Sequence, residues 1–161
     1  MECKQSQNPN SHLGTTHARP LLILHINDNT DDQVLFQAAA KKAAVPIEWH
    51  VADSAGRGIS YLKSLLKLSR KHEARWVDLV LLDLVLPDEN GIAVLKYIRD
   101  TPELRCVPVV VLTGQMNPVM LKQAYDFGVS ALHEKPAKFE DSVALVRMLY
   151  TQWSSALSPT R

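Results

Sequence analysis

Residues 76–91 read WVDLVLLDLVLPDENG, and the fold turns on how this stretch is taken. Five of the seven residues from Val77 to Asp83 are apolar, a run that reads as a buried strand. The run ends in Asp83, where burial alone favours another aliphatic residue. A carboxylate in that place needs partners, and the rest of the chain must be searched for them.

Working outward, short apolar runs alternate with helical patterns. LLILHI (21–26) and IEWHVA (47–52) are two strands before the quoted one, VDLVLL (77–82). VPVVVL (107–112) and SALHE (130–134) are two more after it. Between and after them lie helices. Thr30 with Gln33 fits a capping box ahead of VLFQAAAKKAA, and Ser54 is a plausible cap for a helix reaching about Leu68. GIAVLKYIRD places Ile92, Val94, Leu95 and Ile98 on an amphipathic pattern. Asn117–Pro118 reads as a cap followed by a first-turn proline, and Gly128 sits where a helix ends. FEDSVALVRMLYTQW (139–153) is the last helix. Strand–helix alternation demands parallel pairing, because each helix returns the chain for another strand in the same direction. The strands are continuous apolar runs, as a sheet covered on both faces requires. The expected class is α/β: five parallel strands ordered 2-1-3-4-5 with helices on both faces, a flavodoxin-like (βα)5 arrangement. Residues 1–19 are expected to be a polar tail, 20–153 the domain and 154–161 a second tail.

In such sheets the functional crevice lies at the carboxyl ends of the strands, near the switch between strands 1 and 3. Asn27 and Asp28 follow strand 1, Asp83 ends strand 3, Thr113 follows strand 4, and Lys135–Pro136 follow strand 5. Singly, each is more often a cap, a turn residue or the start of a loop. Four strands delivering two carboxylates, an amide, a hydroxyl and an ammonium to one edge is a different matter. This set suits phosphoryl transfer to a carboxylate, which needs a nucleophile, positioning and neutralised oxygens more than covalent help. Two carboxylates suit Mg²⁺, which keeps several waters. Thr113 can donate a hydrogen bond and Lys135 a point charge, and Gly114 leaves room beside them. A flavin site of this fold would want a Ser/Thr/Gly-rich loop after strand 1, where NDNTDD is acidic. An aspartyl phosphatase commonly has a second Asp two residues on, where Val85 stands.

On LLDLVLPDENG, VPVVVLTG and EKPAK, residues 21 to 153 resemble the receiver domain of two-component response regulators. Pro87 and Gly91 keep that family's spacing after the phospho-acceptor. The resemblance implies that Asp83 is phosphorylated by a histidine kinase or phosphotransfer protein. It also implies Mg²⁺ on Asp28, Asp83 and the Val85 main-chain carbonyl. INDNTDDQVLF and the long last helix are similar to the small stand-alone regulators that partner bacterial phytochromes. Two positions depart from the pattern: Asn27 replaces the first acid of the pair, where it can hold only a metal-bound water, and Leu132 replaces an aromatic residue. A degenerate, phosphate-independent receiver acting as an interaction module is the alternative.

Composition sets the remaining expectations. The 161 residues are 46% hydrophobic and 22% charged with a formal charge of +1, so no nucleic-acid or membrane-surface partner is implied. MECKQSQNPN has no apolar core and is not expected to be a secretory signal. Cys3 and Cys106 are expected to be reduced thiols in a cytoplasmic protein, and no histidine pair has metal-ligand spacing. Only SSALSPTR follows Trp153, so the output is expected to be a surface read by a downstream protein. Tyr150 and Trp153 are the candidates for a homodimer contact.

Overall fold

The apolar runs become strands. In the computed structural model, which describes residues 19–69, 71, 75–115 and 117–154, strand and helix alternate five times. β1 (Leu21–Ile26), β2 (Ile47–Ala52), β3 (Leu79–Asp83), β4 (Val109–Thr113) and β5 (Ala131–Glu134) are each followed by a helix. Those helices are α1 (Thr30–Ala43), α2 (Ala55–Ser69), α3 (Ile92–Asp100), α4 (Pro118–Asp126) and α5 (Phe139–Ser154). All strand pairs are parallel and the sheet order is β2-β1-β3-β4-β5, as expected. Of the expected tails, residues 1–18 and 155–161 lie outside the described residues.

The sheet divides the core into two. Leu24, Ile26, Val80, Leu82, Val109 and Val111 pack with the apolar faces of α2, α3 and α4. Leu21, Ile23, Leu79, Leu81, Val110 and Leu112 pack with Phe36 and Ala39 of α1 and Val146 and Leu149 of α5. Every residue of β1, β3 and β4 is buried. Each fully buried Val or Leu is stabilised by about 1.5–3 kcal/mol over exposure, so the strand ends that carry the polar edge sit on a rigid base. Tyr150 and Trp153 also pack against the second core, half-buried in their own chain.

Local chemistry moves several boundaries. Pro108 has no N–H, and the ladder starts one residue later, at Val109; it then runs through Thr113, which becomes part of β4. β3 begins at Leu79 rather than Val77 and includes Asp83, which pairs with Leu112. The cap of α1 is Asn29, not Thr30. Its extended backbone lets Oδ1 accept from the amides of Asp31 and Asp32, at 2.9 and 3.2 Å. Gln33, freed from the expected box, donates to the Asn27 carbonyl at 2.6 Å. Asn117 caps α4 and Gly128 takes a φ of 75°, both as expected. The expectation of a reduced thiol fails at Cys106, which is disulfide-bonded; Cys3 lies outside the described residues. Among the described residues no helix is long and apolar enough to cross a membrane.

Candidate functional site

Three of the expected residues are buried at the carboxyl edge: Asn27 (1% exposed), Asp83 (5%) and Thr113 (0%). Polar groups this deep need partners, and the partners define the site. Asp83 ends β3; its Oδ1 accepts the Val85 amide at 3.0 Å and its Oδ2 accepts Lys135 Nζ at 2.6 Å. Lys135 is held there by its own backbone, whose amide donates to the Thr113 carbonyl at 2.9 Å. A Cβ on Gly114 would stand 3.9 Å from Lys135 Cδ, so the space beside the ammonium borders this glycine.

Lys135 has a second carboxylate that sequence reasoning missed. Asp32, in the first turn of α1, accepts Lys135 Nζ at 2.9 Å and the Asn27 side-chain amide at 3.1 Å through the same Oδ2. Burial raises the Asp32 pKa, but the hydrogen bonds from Lys135 and Asn27 outweigh it and hold the carboxyl below its ordinary value. Burial likewise opposes the charge on Lys135. Its bonds to Asp83 and Asp32 prevail, and the ammonium titrates above its ordinary value. The only trace of Asp32 in the sequence was Asn27 itself, an amide where an acid was wanted.

The other expected residues stand apart from this chain of contacts. Asp28 is exposed and its side chain makes no hydrogen bond or ion pair among the described residues. Val85 is exposed beyond the end of β3. The Thr113 hydroxyl donates to the Gln115 carbonyl at 2.9 Å and accepts the Gln115 amide at 3.2 Å, so it is engaged within its own loop. No cluster of three His, Cys, Asp or Glu side chains able to hold a metal occurs among the described residues. Mg²⁺ does not require such a cage: it accepts one or two carboxylates with waters completing the octahedron. Asp28 and Asp83 carry hard carboxylate oxygens of the kind Mg²⁺ takes.

Three further residues bear on the edge. His25, in β1, is buried with an unpaired Nδ1, its ring 5.4 Å from Phe36 and 5.8 Å from Trp49. Burial lowers its pKa from 6.5 to about 4; the Asp32 charge raises it and Lys135 lowers it, so the charged pair is felt from beneath. Asp88, in the loop after Asp83, accepts the amides of Ala55 and Gly56 at 3.0 and 2.8 Å and so caps α2 from a distance in sequence. α2 has no acid in its first turn, and Asp88 takes that place. These amide bonds, Gly56 foremost, also lower the Asp88 pKa. Gly91 lies where a Cβ would come within 2.2 Å of the Asp83 carbonyl oxygen. Its amide donates to the Leu84 carbonyl at 2.8 Å, which folds the loop back over the end of β3.

Residues 30–147 match the response regulator receiver domain. The chain belongs to the response regulator receiver family. Among similar receivers, the probable methanogenesis regulatory protein FilR2 of Methanothrix harundinacea is 34% identical over 139 residues, covering 83% of this chain and 84% of that protein. Response regulator Rcp1 of Synechocystis is 28% identical over 134 residues, with 83% of this chain and 89% of Rcp1 covered. Among solved structures, the phosphorylated cyanobacterial phytochrome response regulator RcpA superposes with a TM-score of 0.71 at 29% identity. It covers 85% of this chain and 96% of its own. The Mn²⁺-bound form of Rcp1 gives a TM-score of 0.68 at 26% identity, over 88% of this chain and 100% of its own. The receiver expected from sequence is thus the family found, with phytochrome regulators among its neighbours. Leu132, where the receiver pattern often has an aromatic ring, packs partly buried against the first core.

Proposed function

We propose that this receiver accepts a phosphoryl group on Asp83 from a histidine kinase or phosphotransfer protein. The observation that carries the reading is the buried Asp83 carboxylate in direct contact with the Lys135 ammonium at 2.6 Å, at the carboxyl edge of the sheet. In the transfer, an Asp83 oxygen attacks phosphorus and an O–P bond forms. The P–N bond to the donor imidazole breaks, and its electron pair returns to the ring nitrogen. Asp28, Asp83, the Val85 carbonyl and, through a water, Asn27 would hold Mg²⁺, which when bound neutralises charge on the transferring group. Lys135, already beside Asp83, is placed to pair with a phosphoryl oxygen. Thr113 must give up its bond to the Gln115 carbonyl to donate to another. That exchange of partners is a two-state element able to carry the signal away from Asp83. Leu132 cannot supply an aromatic reporter, so the change is read through other surface residues by a downstream protein. We place the domain at 20–153 and the protein in the cytoplasm. The exposed remainder of Tyr150 and Trp153 serves as a homodimer contact, which light scattering at high concentration would expose as a monomer if this is wrong.

The test is intact mass after incubation with acetyl phosphate and Mg²⁺. One added phosphoryl group is expected on the native protein and none on Asp83→Asn. No addition to the native chain across a wide Mg²⁺ range would reject the switch and leave a phosphate-independent interaction module.

A further inference from the structure

Asn27 interrupts the acidic pair of the receiver pattern, and its contacts give a reason. Its Oδ1 accepts the Asn29 amide at 2.8 Å, and its Nδ2 donates to Asp32 Oδ2 at 3.1 Å. A carboxylate at position 27 would keep the first bond and lose the second. It would also set two anionic oxygens at contact distance where residue 27 is only 1% exposed. The same Asp32 oxygen accepts Lys135, and Lys135 reaches Asp83. Amide at 27 and acid at 32 are therefore a matched pair. We propose that Asp32 is a positioning residue that supplies the negative charge missing at position 27, and that Asn27 and Asp32 together hold the Lys135 ammonium beside Asp83.

The arrangement keeps the formal charge balance that an acidic pair would give. Counting Asp28, Asp32 and Asp83 against Lys135 gives the same sum as Asp28, Asp83 and an acid at 27 would, and Asp32 and Asp83 are the two that meet its ammonium. It differs in place: the charge sits one helical turn into α1, on the lysine side of the pocket. Lys135 shares its ammonium between Asp32 and Asp83, so on phosphorylation it turns to the new oxygens from a station it already occupies. The proposal rests on Asp83 being the phospho-acceptor for its consequence, but the pairing itself belongs to the metal-free protein.

That separation sets the experiment, a double-mutant cycle of Asn27→Asp, Asp32→Asn and the exchanged pair. In metal-free buffer each single variant is expected to lower the unfolding midpoint by about 3–5 °C. The exchange is expected to return it to within about 2 °C of native, because acid and amide have traded places. A side-chain ammonium resonance of Lys135, visible by ¹⁵N NMR when two carboxylates slow its exchange and assigned by its loss in Lys135→Met, is expected to vanish in Asp32→Asn. Calorimetric titration with Mg²⁺ should show roughly tenfold weaker binding to Asp32→Asn, from one charge lost beside Lys135, and recovery in the exchanged pair. Midpoint losses that simply add in the double variant would overturn the pairing. So would an Asp32→Asn protein with the Lys135 resonance and Mg²⁺ affinity of the native one. If the native protein neither binds Mg²⁺ nor takes a phosphoryl group, the receiver chemistry fails instead, while the midpoints and the Lys135 resonance still decide this proposal.

Discussion

β3 carries an aspartate at each end, Asp78 just before it and Asp83 as its last residue, and the two are built in opposite ways. Asp78 is saturated by rigid partners. Arg19 binds both of its oxygens at 2.9 Å, and the Leu22 amide adds 2.8 Å to one of them. Arg75 stands 3.6 Å from that same oxygen. Guanidinium forks and backbone amides leave nothing free for chemistry. Asp83 has one backbone amide and one lysine, a flexible point charge shared with a second acid. A strand-end aspartate is thus structural or chemical according to what satisfies it. An unpaired buried polar atom is found toward both ends, Arg75 Nε beside Asp78 and His25 Nδ1 within reach of the Asp32–Lys135 charges, but the Asp83 end also has Gly91 pressed against its backbone.

If the loop after Asp83 is the crowded part of that end, a side chain added there should hurt stability most. Gly91→Ala is expected to have the largest effect. The new Cβ would meet the Asp83 carbonyl oxygen at 2.2 Å and the Leu84 Cα at 2.8 Å, both backbone atoms that cannot swing aside. A loss of about 3 kcal/mol or more is expected by urea unfolding, and an unchanged midpoint would mean the loop is not pinned against β3. Acid comes next. The neutral His25 imidazole, with its pKa lowered from 6.5 to about 4, refuses a proton that the unfolded chain accepts. Its contribution is complete above pH 6.5 and is lost as pH falls toward 4, on the order of 3 kcal/mol in all. Carboxylates such as Asp32, whose pKa is also lowered, add to the decline, so the comparison must be with His25→Leu. Chemical unfolding of both proteins at pH 7 and pH 4.5 should show a smaller decline in the variant. Parallel declines would place the pH sensitivity elsewhere.

The strand order and the edge were legible because period and burial are local properties of the chain. Continuous apolar runs flanked by polar residues can hardly be anything but a sheet covered on both faces. Asp83, Thr113 and Lys135 were legible because each sits directly at a strand end, where topology alone carries it to the crevice. Asp32 was not, because a first-turn acid on a helix is ordinarily explained by the helix dipole. Its second role depends on Lys135, 103 positions away in the chain. Asp88 was hidden in the same way, as a loop residue capping a helix that precedes it by 32 positions. His25 passed as one more member of LLILHI. The choice of Asn29 over Thr30 as cap depended on backbone angles that two adjacent good caps leave open.

The contrast between the two aspartates can be put directly by amidating each. Asp78→Asn keeps the shape but removes the charge that binds Arg19 and Arg75, and an amide can accept from a guanidinium through one oxygen only. With Asp78 9% exposed in its side chain, a loss of about 1–2 kcal/mol is expected. Phosphoryl acceptance should stay native, because all five residues of β3 are buried and hold the strand in the sheet. Asp83→Asn should do the reverse. It removes the acceptor altogether, yet it also relieves the crowding of Asp83 and Asp32 about one ammonium, and the net change in stability should fall below about 1 kcal/mol. Urea unfolding and intact mass on the same two proteins separate the roles. A strong loss of acceptance in Asp78→Asn would mean that the two ends of β3 are coupled through the strand, and the division between a structural and a chemical aspartate would have to be given up.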